Sequence, residues 1–421
     1  MSRHKSHSEF DIQAALQSVC TADDVLEAFE CFASNVNLLE DWRIVYACDD
    51  DRGTFKIRSQ EFGTSGVIAS ALGGQSLFIL DKEFINSTGP IGYQIGHGIY
   101  ADSNVASHVR TLSYTGAASE QLATYGQHLR QTIGIDGLQR LNPFYYVWEC
   151  QRNWNDKTRY GCIQTTAAIL SLHQDCDPLG LGWSERFMLR YRTECENQAI
   201  EMIDDLLDDA LDADTTNRLA LIEAMLLRTK LIDAESNKSA AHKLEQLIRF
   251  MYQELQVVMA RELIICADIL FRGSTSLTKK LNSLETKEQA LSIIKNAAWD
   301  IFMLRIMDAM VTPKGLPRGE AYLPMLISTD KDVRDLLRLT ELKAIAVCRT
   351  SGRTFPFIKI DLYQWLIQHL GSKRVEALTP LFGQEGFESR ANGRSLNAVK
   401  EILAIDQARL LELQKHRAGQ P

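Results

Sequence analysis

Gly98-Ile99-Tyr100-Ala101-Asp102-Ser103-Asn104-Val105 is a short apolar run that stops at an acid and continues into two small polar residues. A run of this kind suits a buried strand. Ligands of open α/β sheets bind just beyond the carboxyl ends of strands, which is where Asp102 stands. The local reading is a cap or Asx turn, since Asp, Ser and Asn all favour those places. Leu323-Pro324-Met325-Leu326-Ile327-Ser328-Thr329-Asp330-Lys331-Asp332-Val333 repeats the pattern. It is an apolar strand ending in Thr329-Asp330 before an expected helix, Lys331 to Leu339, and either residue is also a candidate cap. Two strands that end alike weigh toward acids gathered at one sheet edge.

Two further acids lie in helical context. Asp300, in Ala297-Ala298-Trp299-Asp300-Ile301-Phe302, sits near the edge of an apolar face, where an acid is rarely left unpaired; its partner is expected to be an Arg such as Arg305, or a metal. Glu149 follows Asn142-Pro143-Phe144-Tyr145-Tyr146-Val147-Trp148, with Pro143 starting the helix and Arg152 as a structural partner.

Outward from these segments, residues 10–35 read as helix and Trp42 to Ala47 as a strand. Cys48 to Gly53 and Thr54 to Arg58 give a hairpin signal, and Ser76 to Leu80 another strand. From about residue 118 to Leu270 the pattern becomes long 3.6-period stretches, such as Trp183 to Leu211 and Ser239 to Leu270. A helix then runs to Met310, and a loop at Pro313, Gly315 and Pro317 leads to strands at Leu323–Ile327, Leu342–Val347 and Phe357–Ile360 and a helix at Leu362–Leu370. Strand and helix alternating at both ends predict a parallel sheet with a helical insertion in the middle.

The chain has 421 residues, 45% of them apolar and 24% charged, as in ordinary folded proteins. A net charge of −8 excludes a uniformly basic nucleic-acid coat but leaves room for a local basic groove. The polar start, Met1 to Phe10, has no apolar run behind it, so no secretory signal and a cytoplasmic location are expected, with no membrane contact. Nine scattered Cys without a CxxC pair read as reduced thiols, and His173 with Cys176 lacks the further ligands of a zinc site. No GxGxxG, Walker A, HExxH or GxSxG string occurs, which removes the usual support for nucleotide-binding, zinc-protease and α/β-hydrolase readings. Asp81 also ends an apolar run, but Lys82-Glu83 follow it instead of Ser-Asn; His97 and His108 are assigned no role.

Taken together, the four acidic segments resemble a PIN-like nuclease. That family's first strand ends in Asp followed by Ser or Thr and Asn, as in Asp102-Ser103-Asn104; a helical Glu follows, matched by Glu149, then a helical Asp, matched by Asp300, and a strand ending in Thr-Asp, matched by Thr329-Asp330. The interval from Asp300 to Asp330 is 30 residues, whereas Glu149 and Asp300 are 151 apart, which demands an insertion and leaves Glu262 as the rival Glu. The resemblance implies a three-layer α/β/α domain with a central parallel sheet, formed by 96–165 and 290–375 and interrupted by a helical insertion over 166–289. Residues 1–95 would be a mixed α/β region packed on or belonging to the same domain, and 376–421 a helical tail.

The resemblance further implies a metal-dependent nuclease. Asp102, Glu149, Asp300 and Asp330 would hold Mg²⁺ or Mn²⁺, with Ser103, Asn104, Thr329 and Asp332 orienting them. RNA stands ahead of single-stranded DNA as substrate, and an oligomer or protein partner stays open. The chemistry agrees, since four converging carboxylates repel unless divalent cations neutralise them, and Mg²⁺ and Mn²⁺ prefer oxygen ligands. The alternative is a non-catalytic interaction protein with a helical scaffold, whose acids are structural.

Overall fold

The computed structural model describes residues 8–418 except 52, 54, 57–58, 64–65, 88–91, 117–118, 209–212, 283, 318 and 394. Arg52, Thr54 and Arg58 of the expected hairpin, Ala118 at the start of the helical middle and Leu211 at the end of one expected helix lie outside the described residues. Among the described residues there are ten strands: β1 (Trp42–Cys48), β2 (Phe55–Lys56), β3 (Gln60–Phe62), β4 (Gly66–Ala69), β5 (Ser76–Leu80), β6 (Gln94–Ala101), β7 (Leu141–Asn142), β8 (Glu320–Ser328), β9 (Leu342–Cys348) and β10 (Thr354–Ile358).

These strands form two five-stranded sheets and not one central parallel sheet. The first has the order β10-β9-β1-β5-β2, with every neighbouring pair antiparallel. The second, β3-β4-β8-β6-β7, is mixed: β8, β6 and β7 are parallel, while β4 and β3 run antiparallel at the β8 side. This corrects the expected three-layer α/β/α domain with a central parallel sheet, and the reason is positional. Both edges of β8 are taken, by β6 and by β4, so the helix Lys331–Leu339 carries the chain out of that sheet and delivers β9 between β10 and β1. The helix Lys82–Ile85 makes the same transfer between β5 and β6. Strand-helix-strand alternation fixes the order of elements along the chain but not the sheet each strand joins.

Both sheets are covered on both faces, which is why their strands read as unbroken apolar runs. Alternate residues of β1 divide between two cores, as the two-residue period of a strand requires. Ile44 and Tyr46 pack with Leu16, Val19 and Phe32 of the helices Glu9–Cys20 and Val25–Ser34. Val45 and Ala47 face the large helical core that holds Trp299 and Phe302. The expected helix over 10–35 is thus two helices, because Asp24 caps the second by accepting the Leu26 and Glu27 amides. In the second sheet Ile99, Ala101 and Ile327 pack on Val105, Val109, Leu129 and Ile169, while Tyr100, Leu323 and Leu326 join the large core. Gly98 lacks a side chain where the Tyr322 hydroxyl lies against it, and that hydroxyl shares a 2.7 Å hydrogen bond with Tyr100.

Residues 166–289 carry no strand among the described residues, and the helix Ala290–Met310 leads from them toward β8. Ser239 to Leu270, expected as one stretch, is divided into Ala240–Arg249, a wider turn at Phe250–Glu254 and Ala260–Leu270. No helix among the described residues is long and apolar enough to cross a membrane.

Candidate active site

Asp102 and Asp330 emerge at the same end of two adjacent parallel strands. Ala101 pairs with Ile327 across β6 and β8, and the Asp102 amide donates to the Ile327 carbonyl at 3.1 Å. Each acid then starts a helix. Asp102 Oδ1 accepts the Val105 amide at 2.7 Å, and Asp330 Oδ1 accepts the Asp332 amide at 2.7 Å, so both are caps. A cap occupies one carboxylate oxygen. Asp102 Oδ2 accepts the Ser328 hydroxyl, and the Ser328 oxygen in turn accepts the Asp330 amide at 2.9 Å, which ties the two strand ends together. The second oxygen of Asp330 accepts no hydrogen bond from any described residue.

Glu149 arrives from the other side of β6. β7 runs parallel to β6, and Asn142 at its end accepts the Phe144 amide at 2.8 Å, starting the helix Phe144–Gln151. Glu149 Oε2 then accepts the hydroxyl of Ser103, the residue after Asp102. Asp300 comes from the middle of the helix Ala290–Met310, among buried Ala297, Ala298, Trp299 and Ile301. It accepts no hydrogen bond from any described residue; Arg305 is engaged elsewhere, with Glu262. Asp332, in the first turn after Asp330, accepts Lys280 Nζ at 3.1 Å.

The electrostatics join these groups. Burial raises Asp300 to about 8; Lys280 opposes that rise, and Asp330, Glu149 and Asp332 add to it. Burial likewise raises Asp102 to about 6, held back by the bonds from Ser328 and the Val105 amide and pushed on by Asp330 and Glu149. Lys280 is raised as well, which favours its charged form: burial disfavours that charge, but Asp332, Asp300 and Asp330 outweigh the burial.

The four acids taken from the sequence therefore lie in one region, where both Asp102 and Asp300 respond to Asp330 and Glu149. Among the described residues, however, no three His, Cys, Asp or Glu side chains form a group that could hold a metal ion. The donor set fits a hard divalent cation by its chemistry, being all oxygen, negative in excess, and including one largely buried carboxyl with no hydrogen bond. Ser103 and Asp332 contact this cluster, Thr329 lies in the link between β8 and the next helix, and Asn104 is exposed in the first turn after Asp102.

The rival Glu262 lies elsewhere. It is buried on the helix Ala260–Leu270 and accepts Arg305 Nε at 2.8 Å, beside the buried pair Arg261 and Asp308. Arg152, expected as a partner of Glu149, instead lies 4.8 Å above the Trp299 ring and donates to Asn296 at 3.3 Å.

Three contributors were not assigned from the sequence. Ser328 stands next to Thr329-Asp330 and was legible as a strand-end hydroxyl. Lys280 and Tyr125 carried no signal; the Tyr125 hydroxyl is buried without a hydrogen-bond partner among the described residues, and its acidity is suppressed by burial and by Asp102. Because Ser328 serves both strand ends, Ser328→Ala should destabilise the protein by about 1–3 kcal/mol, the usual effect of leaving a buried partner unsatisfied. Urea unfolding measures this, and an unchanged midpoint would mean that the bridge contributes nothing.

No family model, curated protein or solved structure matches this chain.

Proposed function

We propose that this chain is a metal-dependent nuclease that hydrolyses phosphodiester bonds, with RNA ahead of single-stranded DNA as substrate. The observation that carries the reading is that Asp330 and Glu149 bear on both Asp102 and Asp300 beyond the carboxyl ends of β6 and β8, with Asp300 largely buried and accepting no hydrogen bond from any described residue. The order of those acids along the chain, similar to that of PIN-like nucleases, supports it further.

Mg²⁺ or Mn²⁺ held by these carboxylates would supply a water of lowered pKa and charge stabilisation at the phosphodiester. The chain's own part is orientation and charge. Ser328 fixes Asp102, and Ser103 fixes Glu149. Arg152, which lies above the ring of Trp299 next to Asp300 in the chain, is a cation available to a polyanionic backbone. A cytoplasmic location goes with this reading, since all nine cysteines are free.

A structural role for the acids is the second reading, favoured by the caps that Asp102 and Asp330 make. Cleavage of a labelled single-stranded RNA in Mn²⁺ separates the two. Asp102→Asn and Asp330→Asn should each lower the rate by at least about a hundredfold while keeping the fold, since a lost ligand removes several kcal/mol of charge stabilisation and Asn still caps a helix. No cleavage by the parent protein, or equal cleavage by both purified variants, would exclude this site.

A further inference from the structure

We infer that the cavity walled by the helices Ala213–Glu235, Ala240–Arg249 and Leu396–Ala418 and by the wider turn at Phe250–Glu254 binds a small organic phosphate, a phosphate monoester on a polar body. None of these elements carries one of the four acids, so this site stands or falls independently of the metal-site reading.

The cavity holds about 680 Å³, which is the size of a small-molecule site and more than a bare phosphate fills. Its charged wall sets four cations, Arg228, Lys238, Arg249 and Arg409, against two acids, Glu235 and Glu254, in a chain whose net charge is −8. Both acids are already engaged. Arg409 Nη2 donates to Glu235 at 2.5 Å, and Arg228 Nη1 donates to the two oxygens of Glu254 at 3.1 and 3.0 Å. The Lys238 ammonium has no partner among the described residues. The wall also includes the wider turn itself, where the Leu255 amide reaches back to the Phe250 carbonyl at 3.0 Å, a backbone geometry found mostly at functional sites.

The arginines are fixed from behind. Arg228 Nε donates at 2.7 Å to Asp406, which is fully buried, and its guanidinium lies 4.0 Å from the centre of the Phe250 ring. Arg409 Nη1 donates to the other oxygen of the same Asp406 at 3.4 Å. Arg249 Nε and Nη2 donate to Glu245, one turn back on its own helix, at 3.2 and 3.0 Å. Each arginine therefore keeps one nitrogen, Nη2 of Arg228, Nη1 of Arg249 and Nε of Arg409, that donates to no described residue. Guanidinium forks held in one orientation with N–H groups to spare are matched to the oxygens of a phosphate, and little ordering remains for the ligand to impose. Ser236, Asn237 and Gln246 add uncharged polar groups to the same wall, suited to the hydroxyls of an organic body.

Titration calorimetry and the melting temperature of the full chain read the binding, with a chelator present to keep cations off the acidic site. Adenosine monophosphate and ribose phosphate should bind and raise the melting temperature, both more tightly than inorganic phosphate, and adenosine without its phosphate should do neither. Lys238→Met and Arg249→Met should each weaken both organic phosphates by about tenfold, the effect of losing one charge-assisted hydrogen bond. Both variants should stay folded, because Lys238 has no partner to strand and Glu245 keeps Arg374 at 3.8 Å. Lys157→Met, on the helix Asp156–Leu172 outside the cavity, should bind as the parent does and controls for the general loss of a positive charge. Inorganic phosphate or sulfate binding as tightly as the organic phosphates would mean an adventitious ion only and overturns the proposal. Organic phosphate binding left unchanged by Lys238→Met and Arg249→Met, or weakened equally by Lys157→Met, overturns it too, as does the absence of binding by the folded parent.

Discussion

Asp300→Asn should stabilise the metal-free protein at pH 8 and at the same time abolish its response to Mn²⁺. In the folded chain Asp300 keeps its proton up to about pH 8, because burial and the charges of Asp330, Glu149 and Asp332 outweigh the help from Lys280. In the unfolded chain it loses that proton near the ordinary aspartate value of 3.8. Between those limits the folded state binds more protons, so stability falls as pH rises from about 4 to about 8, by at most about 1.4 kcal/mol per pH unit for this one group. Asp102, raised to about 6, adds to the same slope over the lower part of the window. Asn removes the ionisation but leaves a buried amide to satisfy, so the net gain at pH 8 is on the order of 2 kcal/mol. Urea unfolding at pH 5, 6.5 and 8 with a chelator present measures it. A flat profile for the parent, or an equal slope in Asp300→Asn, would show that this carboxyl is not under charge pressure. The effect on function should be the opposite: the variant should gain stability and lose metal-supported cleavage together, a trade typical of groups retained for activity.

Arg305→Met should be the most destabilising single change outside the acidic site. Arg305 makes two hydrogen bonds to Glu262, which is 1% exposed, and its charge overcomes burial to hold that carboxylate ionised. Removing the arginine strands a charge in the core, which costs about 3–5 kcal/mol, whereas replacing both partners by apolar residues is often close to neutral. Arg305→Met with Glu262→Met should therefore recover most of the loss, leaving Arg261 and Asp308 to each other. Chemical denaturation of the two single variants and the double variant decides this. A double variant no more stable than Arg305→Met would mean that the pair does not act as a unit. The same experiment bears on the site, because a Glu262 held in this way has no ligand role for a cation near Asp102.

The signals that survived from sequence to structure are those written within a few neighbouring residues. The apolar runs ending at Asp102 and Asp330 form strands that turn at once into capped helices, and the helices Lys331–Leu339 and Leu362–Leu370 have the expected bounds. An apolar run followed by a capping side chain is decided locally. Sheet membership is not. β9 reads as the natural neighbour of β8, yet it pairs with β1, because a strand's partner depends on which edges distant parts of the chain have already filled. The same limit applied to the site. Lys280, in Leu277-Thr278-Lys279-Lys280, looks like any solvated lysine until the fold brings Asp332 against it.

The first sheet also sets an order of events during synthesis. Trp42 pairs with Cys348, so β1 leaves the ribosome about three hundred residues before the strand that covers one of its edges, a delay of roughly 15–60 s at ordinary elongation rates. Through that interval the nascent chain holds an apolar strand with one open row of backbone donors and acceptors, the kind of edge that recruits other chains. A protein made without residues after 341 keeps that edge open permanently and should aggregate, even though all four acids of the site are still present in it.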